Sequence, residues 1–456
     1  MRKVLIAALA AMLPLAAHAA SLTFAQRQAI DSSVNEWLAQ TKAPSVSIAV
    51  VDDGQIAYAK AYGNARLDSD VPATTGTRYS IDSVSKEFCA AAILILQQEG
   101  KLSLNDKVSK YFPQFASADK VTIRQLLSHT AGYRDYWPQD FVPPEMTRPV
   151  TVDALLKEWA TKPLDFAPGT DWQYSNTGYV IAGAIAAKVA GEPLFAFLQQ
   201  HIFAPLHMTR IADSNAAHLP APDAAGYTRY AQGPVRLATP EGAGWLYAAA
   251  ELAMSPSELA LWDVSLMNRS LLSPKSYDAL YTSVKLKSGK DTHYSLGLEV
   301  HDEHGRLELY HDGEGSGFLA SNAMWPRDKV AVIAVTNNDY ASPEGVVARV
   351  ASVVLKPNAA EERARTVLAG FQKGTVDRSQ FTDNGNAYLS AAVLADQKAG
   401  LAPFGALRVL DLSKESTRGG MTTRIWKLTM ANGKLMVIER GYPKGKLEQF
   451  LIDKGD

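Results

Sequence analysis

Strand-like sequence occurs near residues 45–66 of this chain and, apart from a short run just before Ser83, does not return until about residue 293. The segment APSVSIAVVDDGQIAYAKAYGNA holds two β-rich runs about the turn DDGQ, which is a hairpin pattern. Beyond 293 come HYSLGLEVH, the turn DEHG, RLELYHDG and NAMWPRDKVAVIAVTNN. Between the two groups, over roughly 105–280, the pattern is mostly helical and broken by Pro and Gly, as in FAPGTDWQYSNTGYVIAGAIAAKVAGEP. One sheet assembled from both groups, with the helices as an insert, is an α+β architecture. Helical spacing in FAQRQAIDSSVNEWLAQ and near 341–355 adds a helix at each end of this unit.

A second boundary lies in LKPNAAEERARTV, where Pro357 stops one helix and a charged helix begins. MTTRIWKLTM, KLMVIERG and KLEQFLID then read as three strands, joined by the tight-turn pair Asn432-Gly433 and by YPKG. The expected division is 20–358 for the larger unit and 360–456 for a small α+β accessory domain. Nothing in the second resembles a nucleophile with its base, and its partner is not legible.

MRKVLIAALAAMLPLAAHAA places Arg2 and Lys3 ahead of an apolar run ending in small residues. This is the form of a secretory signal over residues 1–19, which predicts an exported, soluble chain, periplasmic or secreted. No later stretch approaches the roughly 20 apolar residues of a spanning helix, so no stable membrane insertion is expected. With Cys89 alone, no intrachain disulfide is available, and about 435 remaining residues must supply stability through core packing. The formal charge of −1 and the lack of a basic run argue against a nucleic-acid partner.

The chemistry centres on YSIDSVSKEF. Ser83 stands where a strand-like segment meets the long apolar helix EFCAAAILILQQEG, near the unpaired N–H groups of a helix start. Lys86, one turn on, projects to the same side. A desolvated, neutral lysine amine there can take the serine proton. A second Ser-x-x-Lys, Ser117 to Lys120, has nothing apolar to shield it and reads as solvated surface. Such a catalyst also needs an acid for the leaving group and donors for the oxyanion. WQYSNTGY offers Tyr174 and Asn176, and LYHDGEGSGF offers His311 and Gly313.

Ser83-x-x-Lys86, Tyr174-x-Asn176 and His311-x-Gly313, in this order, resemble the three motifs of the penicillin-recognising serine hydrolases. That family includes class C β-lactamases, D,D-carboxypeptidases, D-aminopeptidases and esterases. LLSHTAGY and FAPGTDWQYSNTGY resemble further segments of it, and the likeness spans about 25–355. It implies a β-lactamase-like antiparallel sheet with a helical insert. It also implies Ser83 as the acylated nucleophile, Lys86 as its proton partner and Tyr174 as the group protonating the leaving atom. Asn176 would orient Lys86 and hold the acyl amide. The backbone N–H groups of Ser83 and Glu314 would form the oxyanion hole, and His311 would support Tyr174 and help position substrate.

Several competing patterns are set aside. Tyr62-Gly63-Asn64 precedes Ser83, and Lys287-Ser288-Gly289 lies in a polar loop. His301 and His304 flank a hairpin turn and make a poor metal pair. His129 reads as a hydrogen-bonded structural residue and Cys89 as core. No G-x-S-x-G elbow occurs. The expected activity is therefore that of a cofactor-free exported serine hydrolase forming an acyl-enzyme with a small-molecule or peptide substrate. D-amino-acid peptides, β-lactams and small esters all fit the motifs. The alternative is an acylated sensor or scaffold that does not turn over. Where the usual third motif has Ser or Thr, this chain has Asp312, which either faces the cleft and repels anionic substrates or turns away and pairs with a cation.

Overall fold

The computed structural model describes residues 22–303, 306–442 and 445–455. The signal-peptide expectation for 1–19, His304 of the rejected metal pair and part of the YPKG turn lie outside them. The chain divides into two compact units, one of residues 1–301 with 307–355 and one of 302–306 with 356–456. The second boundary thus falls just before Pro357.

The first unit is built on a seven-stranded sheet. Its strands are β1 (Ser45–Asp52), β2 (Gln55–Arg66), β3 (Val71–Pro72), β4 (Glu299–Glu303), β5 (Arg306–Gly315), β6 (Phe318–Trp325) and β7 (Val330–Thr336). Their spatial order is β3-β2-β1-β7-β6-β5-β4, so the two sequence groups meet at β1 and β7. There Val46 pairs with Thr336 and Val51 with Ala331, antiparallel. Asp53 and Gly54 turn β1 into β2 with φ of 50° and 72°, the left-handed pair that a tight hairpin needs.

β1 and β7 are buried on both faces because both faces are covered. Val46, Ile48, Val50, Val332 and Ala334 share one core with Ile30, Val34 and Trp37 of helix α1 (Phe24–Thr41) and with Val346 and Val350 of a helix near the end of this unit. Ala49, Val51, Ile333 and Val335 point the other way, into the core of the helical insert. At the centre of that insert runs α2 (Ser85–Gln98), with every residue from Ser85 to Leu96 buried. Around it pack α3 (Asn176–Ala190) and α4 (Pro256–Asn268). The helix closing the unit is α5 (Glu344–Val354).

Two expectations shift in detail. HYSLGLEVH is a strand only from Glu299 onward, and the segment around Ser83 is a strand only at Tyr79–Ser80. HDG does not end its strand but lies inside β5, which runs on to Gly315 before turning at Ser316 and Gly317.

The second unit has a four-stranded antiparallel meander, β8 (Leu407–Arg418), β9 (Met421–Met430), β10 (Gly433–Gly441) and β11 (Leu447–Lys454). It packs against α6 (Ala359–Lys373) through Leu368, Phe371, Trp426, Val437 and Phe450. The sequence reading gave three of these strands and omitted β8. Among the described residues, no single helix is long and apolar enough to cross a membrane.

Candidate active site

A short turn of 3₁₀ helix, Asp82–Val84, leads into α2 and places Ser83 at the wall of a cavity of about 1030 Å³. The same turn brings Lys86 one helical step behind it. Lys86 is fully buried, and its Nζ donates to Ser83 Oγ at 2.9 Å and to the Ala249 carbonyl at 3.0 Å. Burial drives the lysine down to about 7, against the opposing pull of Asp135, Asp312 and Asp82. A lysine ready to accept a proton near neutral pH thus lies against a serine hydroxyl.

Tyr174 comes from the segment just before α3. Its ring lies 4.8 Å from Lys86 Nζ, and it lines the same cavity as Ser83. Burial holds the phenol well above its ordinary range, so it stays protonated at neutral pH. His129 stacks on the tyrosine ring with centroids 4.2 Å apart. Its Nδ1 accepts from the Ser175 N–H at 3.0 Å, and burial, Lys86 and His311 keep the imidazole neutral. His129 therefore braces Tyr174 and its chain segment.

Asn176 begins α3 and lines the cavity, but its carboxamide is turned to Asp135. Nδ2 donates to Asp135 Oδ2 at 3.2 Å and the Asn176 backbone N–H to Oδ1 at 3.1 Å. Lys86 Nζ bonds to Ser83 and Ala249, so the expected orientation of Lys86 by Asn176 is not what this geometry displays. Asp135 is buried and is the first charge opposing the lysine's fall. Nothing local in RDYW marked it, since it reaches the site from a loop remote in sequence from both partners.

Strand alternation sorts the third motif in a way the sequence reading did not anticipate. Along β5 the residues at 307, 309, 311, 313 and 315 are buried, and those at 312 and 314 are exposed. His311 is only 1% exposed, and its Nε2 meets the Tyr294 hydroxyl at 2.8 Å. His311 and Gly313 are buried and do not line the cavity, so of the two roles expected of His311 the geometry displays the one of supporting Tyr174. Its ring centroid is 6.4 Å from that of Tyr174. Burial, partly opposed by Asp312, lowers the histidine and leaves it neutral near pH 7. Asp312, Glu314 and Gly315 are the residues of β5 that line the cavity.

The wall carries six carboxylates, Asp135, Asp140, Glu299, Asp312, Glu314 and Asp339, against one guanidinium, Arg229. Burial first, and then Asp140, Asp312 and Asp339, push the Glu314 carboxyl up. The open question about Asp312 is answered: it lines the cavity, and its side chain is 61% exposed.

The decoy patterns lie elsewhere. The Tyr62 hydroxyl donates to Asp31 on α1, and Gly289 closes a turn back to the Leu286 carbonyl. Lys120 is exposed, and Ser117 is half-buried in a loop. Among the described residues no group of three or more His, Cys, Asp or Glu side chains is placed to hold a metal ion.

An antiparallel sheet with a helical insert, and a serine–lysine pair where the two join, defines a β-lactamase-like fold. The chain belongs to the Beta-lactamase family, which it matches over residues 24–355. Protein flp of Staphylococcus aureus (strain COL) is 28% identical over 334 residues, covering 70% of this chain and 65% of the relative. The chain thus spans slightly under two thirds of that relative's length. D-amino acid amidase from Ochrobactrum anthropi SV3, solved with D-phenylalanine, superposes with a TM-score of 0.63 at 21% identity, covering 72% of this chain and 99% of its own. The octameric penicillin-binding protein homologue from Pyrococcus abyssi superposes with a TM-score of 0.62 at 19% identity, covering 94% and 100%. At these identities the solved structures establish the fold.

Proposed function

We propose that this chain is an exported serine hydrolase that forms an acyl-enzyme on Ser83 from neutral or cationic amides and esters. The observation carrying this reading is the buried Lys86 amine 2.9 Å from Ser83 Oγ. Lys86 takes the hydroxyl proton as Oγ attacks the acyl carbon. Tyr174, which lines the cavity with Ser83 and is held protonated by burial, passes a proton to the departing nitrogen or oxygen. The backbone N–H groups of Ser83 and Glu314 receive the developing oxyanion. Water then attacks the ester, and the proton path runs in reverse.

The acidic wall supports the choice of substrate. At about 4 Å and an effective dielectric near 20, two unit charges interact by about 4 kcal/mol, so a substrate carboxylate beside Asp312 is strongly disfavoured. An ammonium gains what a carboxylate loses. The amidase likeness is compatible with such a substrate.

The test is a panel of penicillins, D-amino-acid amides and short neutral esters, run on the wild type, Ser83→Ala and Ser117→Ala. Neutral esters and cationic amides should turn over faster than penicillins. Ser83→Ala should abolish both turnover and labelling by a serine-directed covalent inhibitor, and Ser117→Ala should change neither. An inactive Ser117 variant beside an active Ser83 variant would overturn the assignment. A single stoichiometric burst without turnover would replace the hydrolase by an acylated sensor.

A further inference from the structure

Asp82, the residue before the nucleophile, is an odd choice for its position. Its φ is +44°, a left-handed conformation that glycine adopts without penalty and few side chains tolerate. Glycine would supply that kink without burying an acid. Instead the chain places there a carboxyl only 2% exposed, a placement that costs free energy unless the group is neutral or well paired. Oδ1 accepts from Ser80 Oγ at 2.7 Å, and Oδ2 has no hydrogen-bond partner.

The carboxyl lies directly on β5. A Cβ placed on Gly315 would fall 2.4 Å from Asp82 Oδ1, and one on Gly313 would fall 2.1 Å from the Ile81 carbonyl. Both positions are glycine because Ile81 and Asp82 occupy the space where their side chains would stand. Glu314, between these two glycines, lines the cavity that Ser83 also lines. Asp82 is thus wedged between the serine and the strand carrying the second oxyanion donor.

We propose that Asp82 is a positioning residue that holds Ser83 in register with the Gly313–Gly315 segment of β5, so that nucleophile and oxyanion donors keep one geometry. This rests on the reading of Ser83 as the acylated residue. Asp82 acts through the backbone of its neighbour and takes no proton from substrate.

Its ionisation state is part of the device. Burial, then the charge of Glu241, raise the carboxyl to about 8; Ser80 and Lys86 pull it down and Glu314 adds to the rise. Below that pH the group is neutral. Above it, the carboxylate is repelled by Glu241 and Glu314, and its charge favours the protonated form of Lys86. Both effects lower turnover on the alkaline side.

The experiment measures kcat and KM of full-length wild type, Asp82→Gly and Asp82→Asn on one neutral ester from neutral to alkaline pH. Asp82→Gly, which permits the kink but lacks the carboxyl, should lose about 10²-fold in kcat with little change in KM, as expected for a misplaced reacting group. Asp82→Asn, which keeps the shape, should retain most of kcat at pH 7 and lose the fall above about pH 8. Wild-type kcat in Asp82→Gly, or an unchanged alkaline fall in Asp82→Asn, would overturn the proposal. Should Asp82→Gly not fold, the pH profile of Asp82→Asn decides. Failure here with an inactive Ser83→Ala leaves the hydrolase reading standing; an active Ser83→Ala removes both.

Discussion

Lys86 sets the conditions under which Ser83 can react. With its amine lowered to about 7, the neutral form is scarce below that pH and dominant above it. With the neutral amine as the proposed base, turnover should therefore rise through about pH 7. Tyr174 stays protonated across this range. Tyr174→Phe removes a proton carrier and little volume, so kcat should fall about 10²–10⁴-fold with KM nearly unchanged; steady-state kinetics on an amide would check it, and an undiminished kcat would remove Tyr174 from the mechanism. Asp312→Thr removes a charge from the cavity wall and should raise penicillin turnover relative to a neutral ester, measured as the ratio of kcat/KM values. At this scale the short motifs were legible because Ser83 and Lys86 sit one helical turn apart, and Tyr174 and Asn176 two residues apart. Asp135, Tyr294 and the Ala249 carbonyl were not. Each reaches the site from a remote loop, and no local spacing marks a residue whose partner lies elsewhere in the chain.

Helix α2 buries an acid, Glu87, as well as Lys86. The Glu87 carboxylate accepts from Trp262 Nε1 at 2.8 Å and from Asn322 Nδ2 at 3.2 Å, and Asn322 also donates to Asp263 at 3.1 Å. Burial first, and then the charge of Asp263, raise Glu87 to about 8; burial raises Asp263 to about 7. A raised carboxyl means that the native state keeps a proton that the unfolded chain releases. Stability should be highest below the ordinary carboxyl range and decline as pH rises through it to about 8, at about 1.4 kcal/mol per pH unit for each proton retained. Glu87→Gln should flatten that decline, since Asn322 Oδ1 is unpartnered and can accept from the new amide. Denaturant titrations at pH 5 and pH 8 on both proteins would check this, and equal slopes would rule it out. Elements with a strong period were legible, as with α1, α2 and the hairpin of β1 and β2. Strand β8 was missed because Leu410 is its one buried residue, which leaves no alternation to read.

Ser83 and Lys86 lie in the first unit, and the cavity lining is drawn from that unit alone. The second unit has its own core, with Trp426 and Phe371 fully buried and Glu439 held by Arg363, Arg424 and Trp426. Truncation after residue 358 should leave acylation of Ser83 intact, read by covalent-inhibitor labelling of the folded fragment. A folded fragment that no longer labels would assign the second unit to the active site. The α+β class and the helical insert were legible from the placement of the strand groups. The pairing of β1 with β7 followed from neither group alone, because both are hydrophobic on every face and carry no signal of which edge meets which.

That pairing has a consequence during synthesis. A ribosome adding about 5–20 residues per second needs roughly 15–60 s to make the chain between β1 and β7. Throughout that interval the β1–β2 segment lacks the strand that covers its valine- and isoleucine-bearing edge in the folded sheet, and its hydrogen-bonding groups there are a template for pairing with a neighbouring nascent chain. The N-terminal hairpin is therefore the segment a chaperone must cover longest. Closing so long a loop carries an entropic cost of about 5 kcal/mol beyond a constant term, so the β1–β7 seam forms late.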